Sequence, residues 1–364
     1  MKIREKDLRR ALQRREMVLH YQPIVGLKSA RIVAVEALLR WPLPSGRVLA
    51  PGEFIPVAER TRLILPLGTW VLRQACLQTR VWQTRHPRHA PVTISVNMSA
   101  RQFLLGDQVG VIAQALDVSG LAPEYLRLEI TESSVLEHST KSLAQLRALE
   151  QMGVQIAIDD FGTGYSSLSR LNAFPVSQLK IDRSFVGAIG DEQSAKPLVL
   201  ATIQLAHSLG LKAVAEGVET SEQWSFLRRN GCEEAQGYML SRPVPAEIID
   251  QLLAADAPLT RARGDHLGLR LPASLTTRAV AGVAAAALAT GWVSAAAAGA
   301  PATALASQVA ASLGDHTAGL VTLPPATVPP VKDTARTSWC DASASAVSRS
   351  PVTTVNISVG QPAS

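Results

Sequence analysis

Asp159 and Asp160 are adjacent carboxylates that directly follow an apolar stretch in the middle of the chain. Residues 154–158 alternate as a β-strand does, so we expect Asp159 to point away from the apolar face and Asp160 to lie where the strand ends. Two neighbouring carboxylates repel each other unless a positive charge lies between them, and a divalent cation with oxygen ligands meets that need. A metal site and an acidic turn that caps the following helix are both compatible with this segment.

Other polar residues also lie late in segments with strand-like alternation. With Asp159, the set is Glu36, Asn97, Glu129, Asp159, Lys180 and Glu216. Three members have an ion-pair partner nearby in the sequence: Arg40 for Glu36, Arg127 for Glu129 and Asp182 for Lys180. Local pairing explains each residue taken singly. Burying four carboxylates, one amide and one lysine together without a cation would cost on the order of several kcal/mol, so the complete set favours a metal centre.

The elements that position these residues alternate between strands and helices. Predicted strands are residues 18–24, 32–41, 93–99, 125–131, 154–160, 178–182, 211–216 and 234–240. Predicted helices are residues 7–15, 56–60, 67–82, 109–119, 141–152, 166–171, 195–209, 222–229 and 246–255. Eight strands interleaved with helices predict a (β/α)₈ barrel, with a doubly wound open sheet as the alternative. In a barrel the polar set would face the interior at the carboxyl-terminal mouth, where active sites of this fold lie.

Composition is that of a globular protein, with 364 residues, 47% hydrophobic and 18% charged. The formal net charge is +6, but the basic residues are not gathered into one surface motif laced with aromatic side chains. We therefore expect no direct nucleic-acid binding, whereas an anionic nucleotide ligand is compatible with this charge.

The cysteines indicate a reducing compartment. Cys76, Cys232 and Cys340 are odd in number, far apart and without metal-ligand spacing. No disulfide framework is expected from such a pattern. The first seven residues are too charged to begin a secretory signal, so we expect a cytoplasmic protein.

The composition changes near residue 256. We assign residues 1–256 to the folded domain and residues 257–364, which are rich in Ala, Thr, Ser and Pro, to a low-complexity disordered tail. Within the tail, residues 279–299 carry no charge and are long enough to span a bilayer, although they are mostly alanine, which adds little insertion energy. Membrane attachment through this segment is one alternative, and a tail produced by an altered reading frame is another.

Several motifs occur in a fixed order along residues 4–255. They are Tyr21-Gln-Pro-Ile24, Glu36-Ala-Leu-Leu-Arg-Trp41, Phe54-Ile-Pro-Val-Ala-Glu59, Val96-Asn-Met-Ser99, Leu128-Glu-Ile-Thr-Glu132, Asp159-Asp-Phe-Gly-Thr-Gly-Tyr-Ser-Ser-Leu168, Leu179-Lys-Ile-Asp182, Ala215-Glu-Gly-Val-Glu219 and Gln236-Gly-Tyr-Met-Leu-Ser-Arg-Pro243. This ordered set resembles the EAL family of bacterial cyclic di-GMP phosphodiesterases. The tripeptide Glu36-Ala37-Leu38 alone would carry no weight; the complete series is specific.

The resemblance implies a fold, a reaction and a set of ligands. The fold would be a modified (β/α)₈ TIM-like barrel with one antiparallel strand. The reaction would be metal-dependent hydrolysis of one phosphodiester bond of cyclic di-GMP to linear pGpG. By position, Glu36, Asn97, Glu129 and Asp159 would hold one Mg²⁺ or Mn²⁺, and Asp159 would bridge to a second cation that Asp160 also binds.

The resemblance also implies roles for residues around the metals. Glu36, Lys180 and Glu216 would form the catalytic group, with Lys180 and Glu216 positioning and deprotonating the attacking water. Gln22 and Arg40 would hold the dinucleotide, since a guanidinium suits a phosphate oxygen.

A loop over residues 161–167 follows Asp160. Glu132, Glu219 and Gln236 are expected to support it, and Gly162 and Gly164 would allow it to change conformation. The resemblance implies that this loop couples metal binding to a homodimer interface, which makes it a candidate switch. An unidentified regulatory protein is a separate candidate partner. An ordinary strand-to-helix turn is the alternative for the loop. For the whole domain, the alternatives are a catalytically silent cyclic di-GMP receptor that signals to a protein partner and a metal phosphoesterase that acts on other diesters.

Overall fold

The computed structural model of the chain describes residues 3–132, 140–162, 174–190 and 195–259. The strands in these residues are β1 (Val18–Gly26), β2 (Ile32–Pro42), β3 (Val48–Leu49), β4 (Thr93–Asn97), β5 (Leu126–Thr131), β6 (Gln155–Phe161), β7 (Gln178–Ile181), β8 (Lys212–Ala215) and β9 (Glu234–Ala235). The α-helices are α1 (Glu5–Arg14), α2 (Pro51–Arg60), α3 (Ile64–Arg85), α4 (Ala100–Leu105), α5 (Gln108–Ser119), α6 (Thr140–Gln151), α7 (Arg183–Gly187), α8 (Ala195–Ser208), α9 (Ser221–Arg229) and α10 (Ala246–Ala255).

Eight of these strands close into a barrel. Their order is β1-β9-β8-β7-β6-β5-β4-β2, and β1 pairs with β2 to complete the ring. The pairs from β2 through β4, β5, β6, β7 and β8 to β9 are all parallel. β1 is antiparallel to both of its neighbours, and β3 adds a short antiparallel extension to β2. The prediction of a modified (β/α)₈ barrel with one antiparallel strand is therefore confirmed, and the open sheet is excluded.

The main hydrophobic core lies between the barrel and its helices. On β2, Val35, Ala37 and Leu39 belong to this outer core. Ala34 has the opposite parity and packs instead with Ile24 and Val214 in a small, separate apolar cluster. Because side chains alternate along a strand, the second set lies inside the barrel. Glu36, Asn97, Glu129, Asp159, Lys180 and Glu216 share that inward parity.

Helix α3 is 22 residues long and covers β4 from outside. Its buried residues Leu67, Val71 and Ala75 recur every four positions, which places them on one face. Near its end, Trp82 contacts the ring of Tyr21 on β1 edge to face, with centroids 4.9 Å apart. Burial of such side chains stabilises the fold by about 1.5–3 kcal/mol each.

β9 ends at Ala235, well short of the predicted strand over residues 234–240. The chain leaves the sheet because Gly237 crosses directly over Val218: a Cβ at Gly237 would lie 2.2 Å from the backbone nitrogen and oxygen of Val218. The Val218 amide donates to the Gln236 carbonyl (3.0 Å), and the Met239 amide donates to the Val218 carbonyl (2.9 Å). These bonds tie the end of β9 to the loop after β8, and only glycine fits the crossing.

Two short helices, α4 and α7, were not among the predicted elements. Each is capped by a side chain, since the Ser99 hydroxyl accepts from the Arg101 amide (3.3 Å) and Asp182 Oδ1 accepts from the Ser184 amide (3.0 Å). The Ser99-x-x-Gln102 spacing is a capping-box signal that the sequence does contain. The helix predicted at residues 166–171 lies outside the described residues.

The predicted domain boundary at residue 256 follows α10 closely, but the assigned tail is described only as far as residue 259. The disordered tail and the candidate membrane segment at residues 279–299 therefore lie outside the described residues. Among the residues that are described, no helix combines the length and the apolar character needed to cross a bilayer.

Candidate active site

The parallel strands bring the predicted polar residues to one end of the barrel. Glu36, Asn97, Glu129, Asp159 and Lys180 lie on β2, β4, β5, β6 and β7, and Glu216 directly follows β8. Register aligns neighbours across the strands, with Asn97 opposite Glu129 and Thr131 opposite Asp159. Because all these strands run in the same direction, their carboxyl ends share one rim.

Lys180 is the centre of the site. Its Nζ lies 2.6 Å from Glu129 Oε2 and 2.9 Å from Asp159 Oδ1, and it also contacts Glu216 Oε1. The side chains of Lys180 and Glu129 are 2% and 0% exposed. Three carboxylates from three different strands or strand ends therefore meet one buried ammonium group.

Glu36 is the second convergence point. Asn97 Nδ2 donates to its Oε1 (2.6 Å), and Gln236 Nε2 donates to its Oε2 (2.6 Å). Gln236 Nε2 also donates to Gln22 Oε1 (2.8 Å), and Gln22 Nε2 donates to the Ser241 carbonyl (2.9 Å). The Glu36 carboxylate is thus oriented from both sides, and the Asn97 amide donates through nitrogen, which leaves its oxygen as an acceptor. The contacts found for Gln236 are with Glu36 and Gln22, whereas the sequence had indicated the loop after Asp160.

Asp160 completes a compact acidic cluster. Its φ of 54° is in the left-handed region, and its amide donates to Asp159 Oδ1 (3.1 Å). One carboxylate oxygen from each of Asp159, Asp160 and Glu216 lies within 4.8 Å of the others. Such a turn costs a non-glycine residue about 1–3 kcal/mol, and strain of this size concentrates at functional sites.

Burial and mutual repulsion shift the acid–base properties of this cluster. Burial raises the pKa of Glu129 to about 7 against the opposing effect of Lys180, with Glu36 and Asp159 adding to the rise. Burial likewise raises the pKa of Glu216 well above its usual value. Burial disfavours the ammonium form of Lys180, but the carboxylates of Asp159, Glu129, Glu216 and Glu36 outweigh it and raise the Lys180 pKa well above its usual range. Lys180 is therefore a cation at neutral pH.

Arg40 follows Glu36 by four positions on β2 and has the same parity along the strand. It is half-buried, and its Nη1 donates to the Leu39 carbonyl (2.8 Å). Burial lowers the pKa of Arg40, while Glu36 and Tyr238 oppose that shift. The guanidinium remains charged, because even a lowered arginine pKa stays far above neutral.

The residues assigned to loop support lie in different surroundings. Glu132 is buried, and its Oε2 accepts a hydrogen bond from the amide of Gly162 (2.8 Å). The φ of Gly162 is +96°. Glu219 is exposed, and its amide donates to Gln223 Oε1 (2.7 Å). Residues 163–167 of the loop, which include Gly164, lie outside the described residues. Glu132 therefore contacts the loop at its first glycine, and its role in supporting the loop stays a prediction.

Sequence reasoning missed several contacts around the rim. The Ser99 hydroxyl donates to Glu59 Oε1, which connects α2 to the turn after Asn97. The negative charge of Asp182, after burial and the charge of Asp159, helps to raise the pKa of Asp160. Both Glu59 and Asp182 lie in the motifs quoted above, so their positions were signalled although their partners were not.

The donor set fits a hard divalent cation. All the converging ligand atoms are carboxylate or amide oxygens, which Mg²⁺ and Mn²⁺ prefer. Glu129 Oε1 is buried and makes no hydrogen bond to any residue that the structure describes. A buried carboxylate oxygen without a partner is costly unless a cation or water satisfies it. The arrangement is thus chemically suited to a metal centre.

The barrel with its one antiparallel strand, together with this acidic rim, matches a known protein family. The model of the family described as EAL domain matches residues 5–243. The chain belongs to the EAL domain family.

Two curated relatives illustrate the similarity of this EAL domain. It is 48% identical over 251 residues to "Bifunctional diguanylate cyclase/cyclic di-GMP phosphodiesterase MucR" of Pseudomonas aeruginosa. The matched region covers 69% of this chain and 36% of MucR. It is 41% identical over 251 residues to "Cyclic di-GMP phosphodiesterase NbdA" of the same organism, covering 69% of this chain and 32% of NbdA. The chain thus spans roughly a third of the length of these relatives.

A solved structure gives the same assignment of fold. The structure described as "PaMucR Phosphodiesterase, c-di-GMP complex" is 47% identical to this EAL domain and superimposes with a TM-score of 0.64. The match covers 67% of this chain and 98% of that one. The shared fold therefore extends over essentially the whole of the solved phosphodiesterase domain.

Proposed function

We propose that this EAL domain hydrolyses one phosphodiester bond of cyclic di-GMP and releases linear pGpG. The observation that carries the proposal is the contact of Lys180 with Glu129, Asp159 and Glu216 at the carboxyl-terminal mouth of the barrel. The names of MucR and NbdA, both of which include cyclic di-GMP phosphodiesterase, support this choice of substrate.

The reaction depends on Mg²⁺ or Mn²⁺ held by the rim oxygens. Glu36, Asn97, Glu129 and Asp159 would hold one cation, and Asp159 and Asp160 would hold a second. When bound, such a pair of cations neutralises negative charge on the phosphate oxygens as it develops during attack by water. Gln236 and Asn97 keep the Glu36 carboxylate in a fixed orientation for this purpose.

Lys180 and Glu216 act on the attacking water. Lys180 is charged and fully buried, and one of its N–H groups would donate to the water oxygen in exchange for one of the three carboxylates that it now contacts. Glu216 accepts the proton of that water as the general base, because it lies beside Lys180 and Asp159 and keeps a partly exposed side chain.

Gln22 and Arg40 hold the dinucleotide at the edge of the same site. Gln22 is held by Gln236 and the Ser241 carbonyl, which fixes its amide plane. Arg40 supplies a forked set of donors for a phosphate oxygen.

The proposal also covers assembly and location. It includes a homodimer formed through the loop after Asp160 and a response to a regulatory protein. It further includes a cytoplasmic location and a domain that ends at residue 256.

A turnover assay on the full chain tests the function. Purified protein is incubated with cyclic di-GMP and Mg²⁺ or Mn²⁺, and the products are separated by chromatography. We expect pGpG to accumulate and the reaction to stop on addition of EDTA. Tight binding of cyclic di-GMP without pGpG would favour the receptor instead, and comparable cleavage of unrelated diesters would favour a general phosphoesterase.

A further inference from the structure

A second layer of polar side chains lies inside the barrel beneath the active site. Its members are Arg127 on β5, Gln178 on β7 and Glu234 on β9. Each precedes a residue of the active site by two positions, namely Glu129, Lys180 and Gln236. Residues two apart on a strand share one face and are separated by about 6.6 Å along it. These three side chains therefore point into the barrel one layer below the rim.

Arg127 and Glu234 form a buried ion pair in this layer. Arg127 Nη1 lies 3.1 Å from Glu234 Oε2, and the two side chains are only 4% and 9% exposed. Gln178 Nε2 donates to the other carboxylate oxygen, Glu234 Oε1, at 3.4 Å. Both charges are thus removed from solvent and matched only by groups inside the barrel.

The pair joins opposite walls of the barrel. In the closed ring, β5 and β9 are separated by β6, β7 and β8 on one side and by β4, β2 and β1 on the other. Two strands separated by four steps in either direction around an eight-stranded ring face each other across its diameter. We call Arg127 and Glu234 the cross-barrel pair.

Stability is a weak explanation for the cross-barrel pair. Burying two charges costs several kcal/mol each, and a buried pair of this kind can often be replaced by well-packed apolar residues with no loss of stability. The geometry is also incomplete, because Arg127 Nε makes no hydrogen bond to any described residue. Apolar side chains would fill the space as well, but they would not fix a distance through a directional bond.

The two walls that the pair connects carry both convergence points of the site. β5 carries Glu129, which contacts Lys180, and Gln236 follows β9 and donates to Glu36 and Gln22. A change in the distance between these walls would move the Glu36 and Glu129 carboxylates relative to each other. A cation with strict geometric demands, such as Mg²⁺, is sensitive to that distance.

We propose that Arg127 and Glu234 are positioning residues that set the spacing of the metal-binding carboxylates by linking opposite walls of the barrel. The proposal rests on the proposed function for the identity of the reaction, but its geometry concerns divalent-cation binding itself. Groups that support metal ligands without touching the metal change affinity or activity by about 10–100-fold when removed. An effect of this size is expected here.

The double variant Arg127→Met/Glu234→Leu tests the proposal in the full chain. We expect it to fold, with a Tm close to that of the wild type, and to bind Mn²⁺ about 10-fold or more weakly in a titration followed by electron paramagnetic resonance. We expect kcat to fall by a similar factor at saturating cyclic di-GMP, with KM for the dinucleotide nearly unchanged. The conservative variant Arg127→Lys keeps the charge and should retain most of the Mn²⁺ affinity.

The exposed ion pair of Arg47 and Glu53 provides a matched control. The double variant Arg47→Met/Glu53→Leu makes the same chemical change outside the barrel and should leave Mn²⁺ affinity and kcat as they are in the wild type.

Each outcome of the comparison is decisive. Wild-type Mn²⁺ affinity and kcat in the cross-barrel double variant would overturn the positioning role. Failure of that variant to fold would do the same, because the pair would then be a structural requirement. If the wild type binds Mn²⁺ but does not cleave cyclic di-GMP, the proposed function fails, while weaker Mn²⁺ binding by the variant would still support the positioning role. If the wild type binds no Mn²⁺, both proposals fail.

Discussion

Lys180 Nζ lies 2.6 Å from Glu129 Oε2, and both side chains are shielded from solvent inside the barrel mouth. This contact joins β5 to β7, two strands that do not pair with each other, across the intervening β6. Lys180 thus supplies positive charge to carboxylates that would otherwise face one another unscreened. Under the proposed function, the same ammonium group would donate a hydrogen bond to the attacking water.

Replacing Lys180 by Met should abolish most activity while the neighbouring carboxylates remain. Loss of a buried donor of this kind lowers kcat by about 10²–10³-fold. The metal-free variant should also be less stable by about 3–5 kcal/mol, because buried carboxylates are left without their partner. Product formation and urea unfolding measure the two effects. Lys212→Met, at an exposed position on β8, is the control and should behave as the wild type; an active Lys180→Met enzyme would contradict the assigned role.

Replacing Glu36 or Asp159 by Ala should eliminate turnover without unfolding the domain. Both carboxylates are assigned to the metals, so we expect kcat to fall by more than the ~100-fold seen when a residue only supports a ligand. Circular dichroism checks the fold, and the Mn²⁺ titration checks the site. Full activity in either variant would refute the metal assignment.

The variant Glu216→Gln tests the general base without altering any residue that we assign as a metal ligand. Removal of a positioned base lowers the rate by about 10²–10⁴-fold, so we expect a loss in this range with the KM for cyclic di-GMP nearly unchanged. The matched control is Glu222→Gln, because Glu222 is an exposed carboxylate on the following helix. A Glu216→Gln enzyme whose rate retains the wild-type pH dependence would show that another group takes the proton.

Gly237→Ala should disturb the site through the backbone. The added methyl group would lie 2.2 Å from Val218 backbone atoms, so the crossing must open and carry Gln236 away from Glu36. Overpacking of this kind costs about 1–3 kcal/mol, and we expect a lower Tm together with reduced turnover. Gly52→Ala is the control, because a Cβ there meets no atom within 4 Å. An unchanged Tm in Gly237→Ala would show that the crossing can adjust without cost.

The sequence predicted the barrel and the convergence of polar side chains because both follow from local alternation and the parallel direction of the strands. It could not identify the partners. Arg127 is two residues from Glu129 yet pairs with Glu234 across the barrel, and Lys180 contacts three carboxylates while Asp182 caps α7. Such contacts depend on barrel closure, which brings residues from distant segments together. The early end of β9 likewise depends on the close approach of Gly237 to Val218, a contact that no pattern within residues 234–240 contains.

Metal removal should reverse the pH dependence of stability. Burial raises the pKa of Glu129 to about 7, and the pKa of Glu216 is also raised, so the metal-free folded state binds more protons than the unfolded state between about pH 4.5 and 7. Glu129 and Glu216 therefore lower the free energy of unfolding as pH rises through this window. His20, whose pKa is lowered chiefly by burial, gives a single opposing contribution against these two carboxyl groups, and Lys180 stays protonated in both states and contributes no slope there. Bound Mg²⁺ or Mn²⁺ requires ionised carboxylates, so added metal should stabilise the protein more at pH 7.5 than at pH 5.5.

Thermal unfolding in EDTA and in Mn²⁺ across pH 5 to 8 measures both slopes. Glu129→Gln removes one of the titrating groups and should flatten the slope seen in EDTA. The surface pairs do not obscure the result, because the Asp7 carboxyl, beside Arg4, and the Asp256 carboxyl, beside Arg31, have lowered pKa values and titrate below this window. A metal-free Tm that rises steadily from pH 5 to 8 would contradict the raised carboxyl pKa values, and with them the close packing of acidic groups on which the metal site depends.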